Sequence, residues 1–72
     1  MKKVPIDTAY IPLGQLLKKL QLLDTGGQAK LFLAEYQVLV NGVPEKRRGR
    51  KIYPQDEVEI EGFGTVRPVR EE

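Results

Sequence analysis

Apolar residues recur along this chain with two periods, and the change from one to the other divides it. Leu13, Leu16, Leu17 and Leu20 fall at i, i+3, i+4 and i+7, the stripe of an amphipathic helix. Lys18 and Lys19 fall off that stripe, toward water. Pro12 suits the first helical position, where its missing N–H would have had no partner anyway. The pattern gives out between Gln21 and Asp24. A second stripe, Ala29, Phe32, Leu33 and Tyr36, repeats the same spacing. It predicts a helix starting at Thr25, with Thr25 and Gln28 at capping-box distance: the threonine hydroxyl accepts the Gln28 N–H and the glutamine side chain reaches back. Gly26 and Gly27 fall in the first turn, where each costs about 1 kcal/mol relative to alanine, so something should compensate.

From Val38 onward the period shortens to two. Val38-Leu39-Val40 reads as a strand, and Asn41-Gly42 is the preferred pair for a type I′ hairpin turn because both positions need positive φ. Val43-Pro44-Glu45 begins the return. Ile52 and Tyr53 resume the apolar pattern before a Pro54-Gln55-Asp56 turn. Val58 and Ile60 then alternate with Glu57, Glu59 and Glu61, as in a half-buried strand. A Gly62-Phe63-Gly64 turn leads to a last strand, Thr65 to Val69, which Pro68 is expected to confine to an edge. Ile6 to Ile11 reads as an extended lead-in and edge strand. The expectation is an α+β fold with two short helices packed on a small, mostly antiparallel sheet.

Seventy-two residues suffice for a single domain, residues 1 to 72, and a chain this short buries only ~60% of the surface its unfolded form exposes. That leaves no room for a deep substrate pocket, and a small-molecule substrate is not expected. Cysteine and histidine are absent, which removes disulfides and the usual zinc ligands. The commonest acid–base and nucleophilic groups go with them. Serine is missing too and no phosphate-binding P-loop pattern occurs, so the expectation is a non-enzyme without cofactor or metal. Met1-Lys2-Lys3 has the basic start of an export signal, but Pro5, Asp7 and Thr8 interrupt what should be an apolar stretch. The longest apolar run is too short to span a bilayer. A cytoplasmic protein is expected.

Charge adds the functional direction. Between Lys18 and Lys51, eight basic residues face three acidic ones; from Ile52 to Glu72, Arg67 and Arg70 face six carboxylates. A positive side and a negative side follow, and a polyanion would be steered to the first. Lys46-Arg47-Arg48-Gly49-Arg50-Lys51 carries five cations in six residues. Alone, such a run is more simply a solvated loop. It is rich in arginine, whose guanidinium fits phosphate bidentately and stacks on bases. With Lys18, Lys19 and Lys30 on the outward faces of two neighbouring helices, Arg47, Arg48, Arg50 and Lys51 make a candidate composite surface. Gly26 and Gly27 admit two compatible readings: turn geometry or tight packing, and a bare helix start that phosphate can approach. Tyr10, Tyr53 and Phe63 are candidate stacking platforms, although packing accounts for aromatics in so small a domain. Glu57, Glu59 and Glu61 share one strand face, which is more simply a solvated face than a metal site.

The run from Thr25 to Gly42 resembles the core of the S4 RNA-binding domain family, found in ribosomal proteins, pseudouridine synthases and some tRNA synthetases. Ala29, Lys30, Leu33, Glu35, Val38, Val40, Asn41 and Gly42 match its pattern without a gap. Pro54-Gln55-Asp56-Glu57-Val58 is similar to its Pro-Gly-Asp turn and closing strand, and Leu13 and Leu17 suit its first helix. The resemblance covers roughly residues 12 to 61. It implies an S4-like fold in a small stand-alone bacterial form. It also implies a function in binding structured RNA, ribosomal or transfer RNA, with the ribosome as a possible partner. Departures concern contacts rather than fold: Pro12-Leu13-Gly14 replaces Arg-Leu-Asp, Thr25-Gly26 replaces a serine–arginine pair, and Tyr36 replaces a helix-ending glycine. Two other readings stay open. Val38 to Gly42 followed by Asp56 to Ile60 also resembles β-grasp sulfur carriers, but those end in Gly-Gly and this chain ends Arg70-Glu71-Glu72. The acidic strand would instead suit a protein-interaction adaptor.

Overall fold

The first leucine stripe folds as α1 (Leu13–Lys19), with Leu13, Leu16 and Leu17 completely buried and Lys18 and Lys19 exposed. The structure, a computed structural model, describes residues Lys2 to Glu71; the expectations attached to Met1 and Glu72 lie outside the described residues. Pro12 stands one position earlier than its sequence suggests. It is the extended N-cap residue (φ −62°, ψ 144°), and Leu13 opens the helix. At the other end Gln21 adopts a left-handed φ of 63°. The Leu22 N–H then reaches back to the Leu17 carbonyl at 3.1 Å, closing the helix in the manner usually given to glycine.

The second helix starts later than expected. Gly26–Gln28 form one 3₁₀ turn and α2 spans Ala29–Glu35. Half of the expected capping box forms: Gln28 Oε1 accepts from the Asp24 N–H at 2.7 Å and more loosely from the Thr25 N–H at 3.4 Å. The other half is corrected, because the Gln28 N–H donates to the Thr25 backbone carbonyl (3.2 Å) and not to its hydroxyl. The glutamine thus closes the turn that the two glycines weaken. Ala29 and Leu33 are buried, Phe32 is half-buried, and Tyr36 stands exposed against Phe32 with ring centroids 4.8 Å apart. The last position of the stripe is therefore not core.

Five strands form the main sheet: β1 (Lys2–Ile6), β3 (Val38–Val40), β4 (Val43–Pro44), β6 (Val58–Ile60) and β7 (Gly64–Arg70), in the order β1-β7-β6-β3-β4. All neighbours are antiparallel except β1 and β7. One edge strand is Lys2–Ile6, ahead of the Ile6–Ile11 stretch; Ile11–Pro12 forms a separate short strand, β2, paired with β5 (Lys51–Ile52). Strand β7 is not at an edge, as Pro68 had suggested. β6 pairs only with Gly64 to Val66, so Pro68 lies past its end, and its carbonyl faces the Gln55 N–H at 3.4 Å. On that side no ladder requires the missing N–H. Val58 and Ile60 are buried while Glu57, Glu59 and Glu61 are exposed, as period two requires. Leu17, Leu33, Val38, Ile60 and Val66 belong to one apolar core. No helix among the described residues is long and apolar enough to cross a membrane.

The hairpin forms as expected. Asn41 (φ 52°) and Gly42 (φ 83°) make the turn between β3 and β4. Asn41 does more than turn. Its Oδ1 accepts from the Glu57 N–H (2.9 Å) and its Nδ2 donates to Asp56 (3.1 Å). The hairpin is thereby tied to the Pro54-Gln55-Asp56 turn, where the Asp56 N–H returns to the Tyr53 carbonyl and Gln55 carries φ 83°.

Candidate nucleic-acid interface

The basic run occupies the loop between β4 and β5, and that loop is anchored at three places. First, it meets the start of α1. The opening N–H groups of a helix have no partners within it; here Leu13 donates to the Arg50 carbonyl and Gly14 to the Arg48 carbonyl, both at 2.8 Å. Gly14 permits this approach. A Cβ there would lie 3.3 Å from the Ala29 Cβ and 3.4 Å from both the Cβ and the carbonyl of Arg48. The glycine replacing the family's aspartate thus lets α1, the head of α2 and the loop meet closely.

Second, Glu45 holds the loop from within. It retains only 8% of its surface. Its carboxylate accepts from Arg47 Nε and Nη2 (both 3.0 Å), from Arg50 Nη1 (2.9 Å), and from the Lys46 and Arg47 backbone N–H groups (both 3.1 Å). The Arg47 side-chain bonds, then its backbone N–H, then Arg50 favour the ionised form more than burial opposes it, and the carboxyl is held down at about 2. The same pairing raises the Arg47 guanidinium above its ordinary value. Third, Lys46 Nζ donates to the Leu33 carbonyl at 2.9 Å, one of the acceptors that the end of α2 leaves free.

The expected site residues divide accordingly. Arg48 borders Pro12, Gly14 and Gln15 on the α1 side of the loop. Arg47, Arg50 and Lys51 line a different, open groove with Gly49, Tyr53 and Asp56. Lys30 is exposed, next in the chain to the Ala29 that meets Gly14. Lys18 lies one helical turn beyond Gln15 on the exposed side of α1. Lys19 goes elsewhere, lining a shallow depression with Lys2 and Lys3. Gly27 is in the 3₁₀ turn, but its φ is not left-handed, and a Cβ there would meet only Thr25 Oγ1 at an ordinary 3.9 Å. Neither turn geometry nor packing requires glycine at 27. Gly26 opens the same turn.

Sequence reasoning passed over Glu45, treating it as part of the start of the return strand, and saw in Gly14 only a departure from the family. For Glu45 a signal existed: a single carboxylate abuts five cations. Among the other candidates, Glu57 pairs with Arg67 at 2.7 Å and Glu61 accepts from the Gln37 N–H. The described residues contain no cluster of metal-ligating side chains.

Two helices and a mostly antiparallel sheet, with a cation-rich loop docked on the start of α1 and the end of α2, define the class: a small α+β domain. The sequence matches the S4 domain family over residues 4 to 67, and the chain belongs to that family of RNA-binding domains. It is also 54% identical, over 66 residues covering 92% of this chain and 93% of the relative, to the probable ribosome maturation protein RlbA of Bacillus subtilis strain 168.

Proposed function

We propose that this protein binds structured RNA without catalysing a reaction on it, and that ribosomal RNA in a maturing ribosomal particle is the target. The docked loop carries the reading: Arg48 and Arg50 are fixed by their backbones to α1, while Glu45 aligns the guanidiniums of Arg47 and Arg50. A solvated charge run needs no such framework. The description of the relative as a probable ribosome maturation protein favours ribosomal over transfer RNA. The surface consists of Arg47, Arg48, Arg50 and Lys51, extended by Lys30 beside the Gly26-Gly27 turn and by Lys18 on α1; Lys19 joins it only where the RNA continues past the end of α1 toward Lys2 and Lys3. Such a protein works in the cytoplasm as one domain spanning residues 1 to 72, with no cofactor and no small-molecule substrate.

Fluorescence anisotropy with a ribosomal RNA hairpin at several salt concentrations tests this. With about four phosphate contacts, log affinity should fall linearly with log salt at a slope of roughly −3 to −4 as counterions are released. Binding with no salt response would make the loop a solvated face. Absence of RNA binding, with retention on an immobilised partner protein, would favour the adaptor.

A further inference from the structure

The loop has a second face that phosphate neutralisation leaves unexplained. Beside Arg47, Arg50 and Lys51, the open groove is lined by Tyr53 and Asp56. Tyr53 is 47% exposed, a large apolar area for water to cover in so small a protein. Its position is nevertheless fixed. The Tyr53 N–H donates to Asp56 Oδ2 at 2.8 Å, and its ring leans on Tyr10, with centroids 5.6 Å apart and planes tilted by 48°. Lys51 Nζ sits 5.0 Å from the Tyr10 ring centroid, so a cation is held at the rim of an aromatic pair.

We infer that this groove takes one unpaired nucleotide of the bound RNA, its base stacked on Tyr53 and its phosphate at Arg47 and Lys51. The inference rests on the RNA-binding reading and adds a ligand to it. A fully paired A-form helix presents phosphates and 2′-hydroxyls, but its base faces are covered by neighbouring base pairs. Only a bulged, looped or terminal base offers a free π-face. An exposed ring beside guanidinium and ammonium groups matches that chemistry, since stacking tolerates any base while the cations track the backbone. The groove is also polar in the electrostatic sense. Asp56 lines it too, so a phosphate is drawn to the cations and kept from the carboxylate. A ring already braced by Tyr10 loses little freedom when a base stacks on it.

The test uses the full chain and two RNA hairpins with the same stem, one fully paired and one carrying a single bulged 2-aminopurine. Wild type should bind the bulged hairpin more tightly and change the 2-aminopurine emission on binding. Tyr53→Ala should weaken the bulged hairpin about tenfold, within the span found for removal of a stacked aromatic. It should abolish the emission change and leave affinity for the paired hairpin unaltered. Tyr53→Phe should behave as wild type, with thermal melts confirming that both variants fold. Equal loss on both hairpins, or no loss on either, would overturn the nucleotide site while leaving RNA binding intact. If wild type binds neither hairpin, the RNA-binding reading fails and takes this inference with it.

Discussion

Two stretches of this molecule carry the same kind of charge in opposite conditions. In the loop from Glu45 to Lys51, Lys46, Arg47 and Arg50 are each tied to a named acceptor, and the backbone of Arg48 and Arg50 is bonded to α1. On the outward side of α1, Lys18 and Lys19 make no side-chain hydrogen bond or ion pair among the described residues. From sequence the two look alike. The difference is conformational freedom: a long cationic side chain gives up as much as about 2 kcal/mol of rotamer entropy when it is fixed. In the loop much of that cost is met during folding, whereas on α1 all of it falls at binding. Each cation still displaces counterions when it meets a phosphate. The loop should therefore dominate the salt-independent part of affinity, while both regions share the salt-dependent part.

The strongest way to break the comparison is to undock the loop without removing a cation. Gly14→Val places methyl groups where a Cβ alone already lies 3.3 to 3.4 Å from Ala29 and Arg48. Overpacking of this kind costs about 1–3 kcal/mol. Denaturant melts should show that loss. Conditions in which the variant remains folded should still show weaker RNA binding, because the loop has been pushed off α1. Unchanged affinity in the folded variant would mean that docking is irrelevant to function.

A subtler break comes at the carboxylate. Glu45→Gln raises the net charge by one but turns an acceptor toward a second donor group, an amide facing two guanidiniums. Pure charge counting predicts tighter RNA binding; preorganisation predicts weaker binding with a salt slope no shallower than before. We expect the second result, together with a stability loss of about 1–2 kcal/mol, since the hydrogen bonds are charge-assisted but their arginine partners are partly solvated. The acid limb of the stability curve checks the same pair. Because folding lowers the Glu45 pKa from 4.5 to about 2, its contribution is complete above the unfolded value and is lost as pH falls from about 4.5 toward 2. Thermal melts across that window should fall less steeply for the glutamine variant.

What the sequence revealed and what it hid follow from the range of the interactions. Periods of 3.6 and 2 are local properties, and they located α1, the body of α2, the Asn41-Gly42 hairpin and strand β6. The family pattern reached the same elements from their residues. Contacts far apart in the chain left no such trace. Lys2–Ile6 pairs in parallel with a strand more than sixty residues away, and no local alternation announces that partner. Pro68 looked like an edge residue because nothing nearby revealed that β6 ends before reaching it. At the site, the cations were legible as composition. Their division into Arg48 beside α1 and Arg47, Arg50 and Lys51 at the groove was not, because it depends on Gly14 meeting Arg48 and Ala29 across the fold. The Glu45 bonds, by contrast, span at most five residues and were there to be read.

One change should sharpen the comparison by altering stability alone. Gln55 holds φ 83° in the turn where the family carries glycine, a conformation that an L side chain adopts at a cost. Gln55→Gly should raise stability by about 0.5–1 kcal/mol in denaturant titrations. Among the described residues no loop cation hydrogen-bonds to Gln55, whose N–H donates to the Pro68 carbonyl, so RNA affinity should not change. A coupled rise in affinity would show that stability, and not the arrangement of cations, controls binding.

The smallest expected effect decides whether the two regions share one RNA. Lys18→Ala and Lys19→Ala each remove a mobile ammonium, so at moderate salt each should weaken binding only by about the few tenths of a kcal/mol typical of exposed charges. The salt slope is the more sensitive reading. If a lysine touches phosphate, its loss should flatten the slope by about 0.7–0.9, whether or not affinity at one salt concentration visibly moves. Lys18, one turn from the Gln15 that borders Arg48, should show the change. Lys19, which lines a depression with Lys2 and Lys3, should show it only if the RNA continues past the end of α1 toward β1. A full slope change for Lys18 and none for Lys19 would bound the RNA footprint at the loop and the adjoining face of α1. Full changes for both would extend the footprint along the helix. If neither slope moves, the α1 lysines are solvent-facing and the loop alone binds RNA.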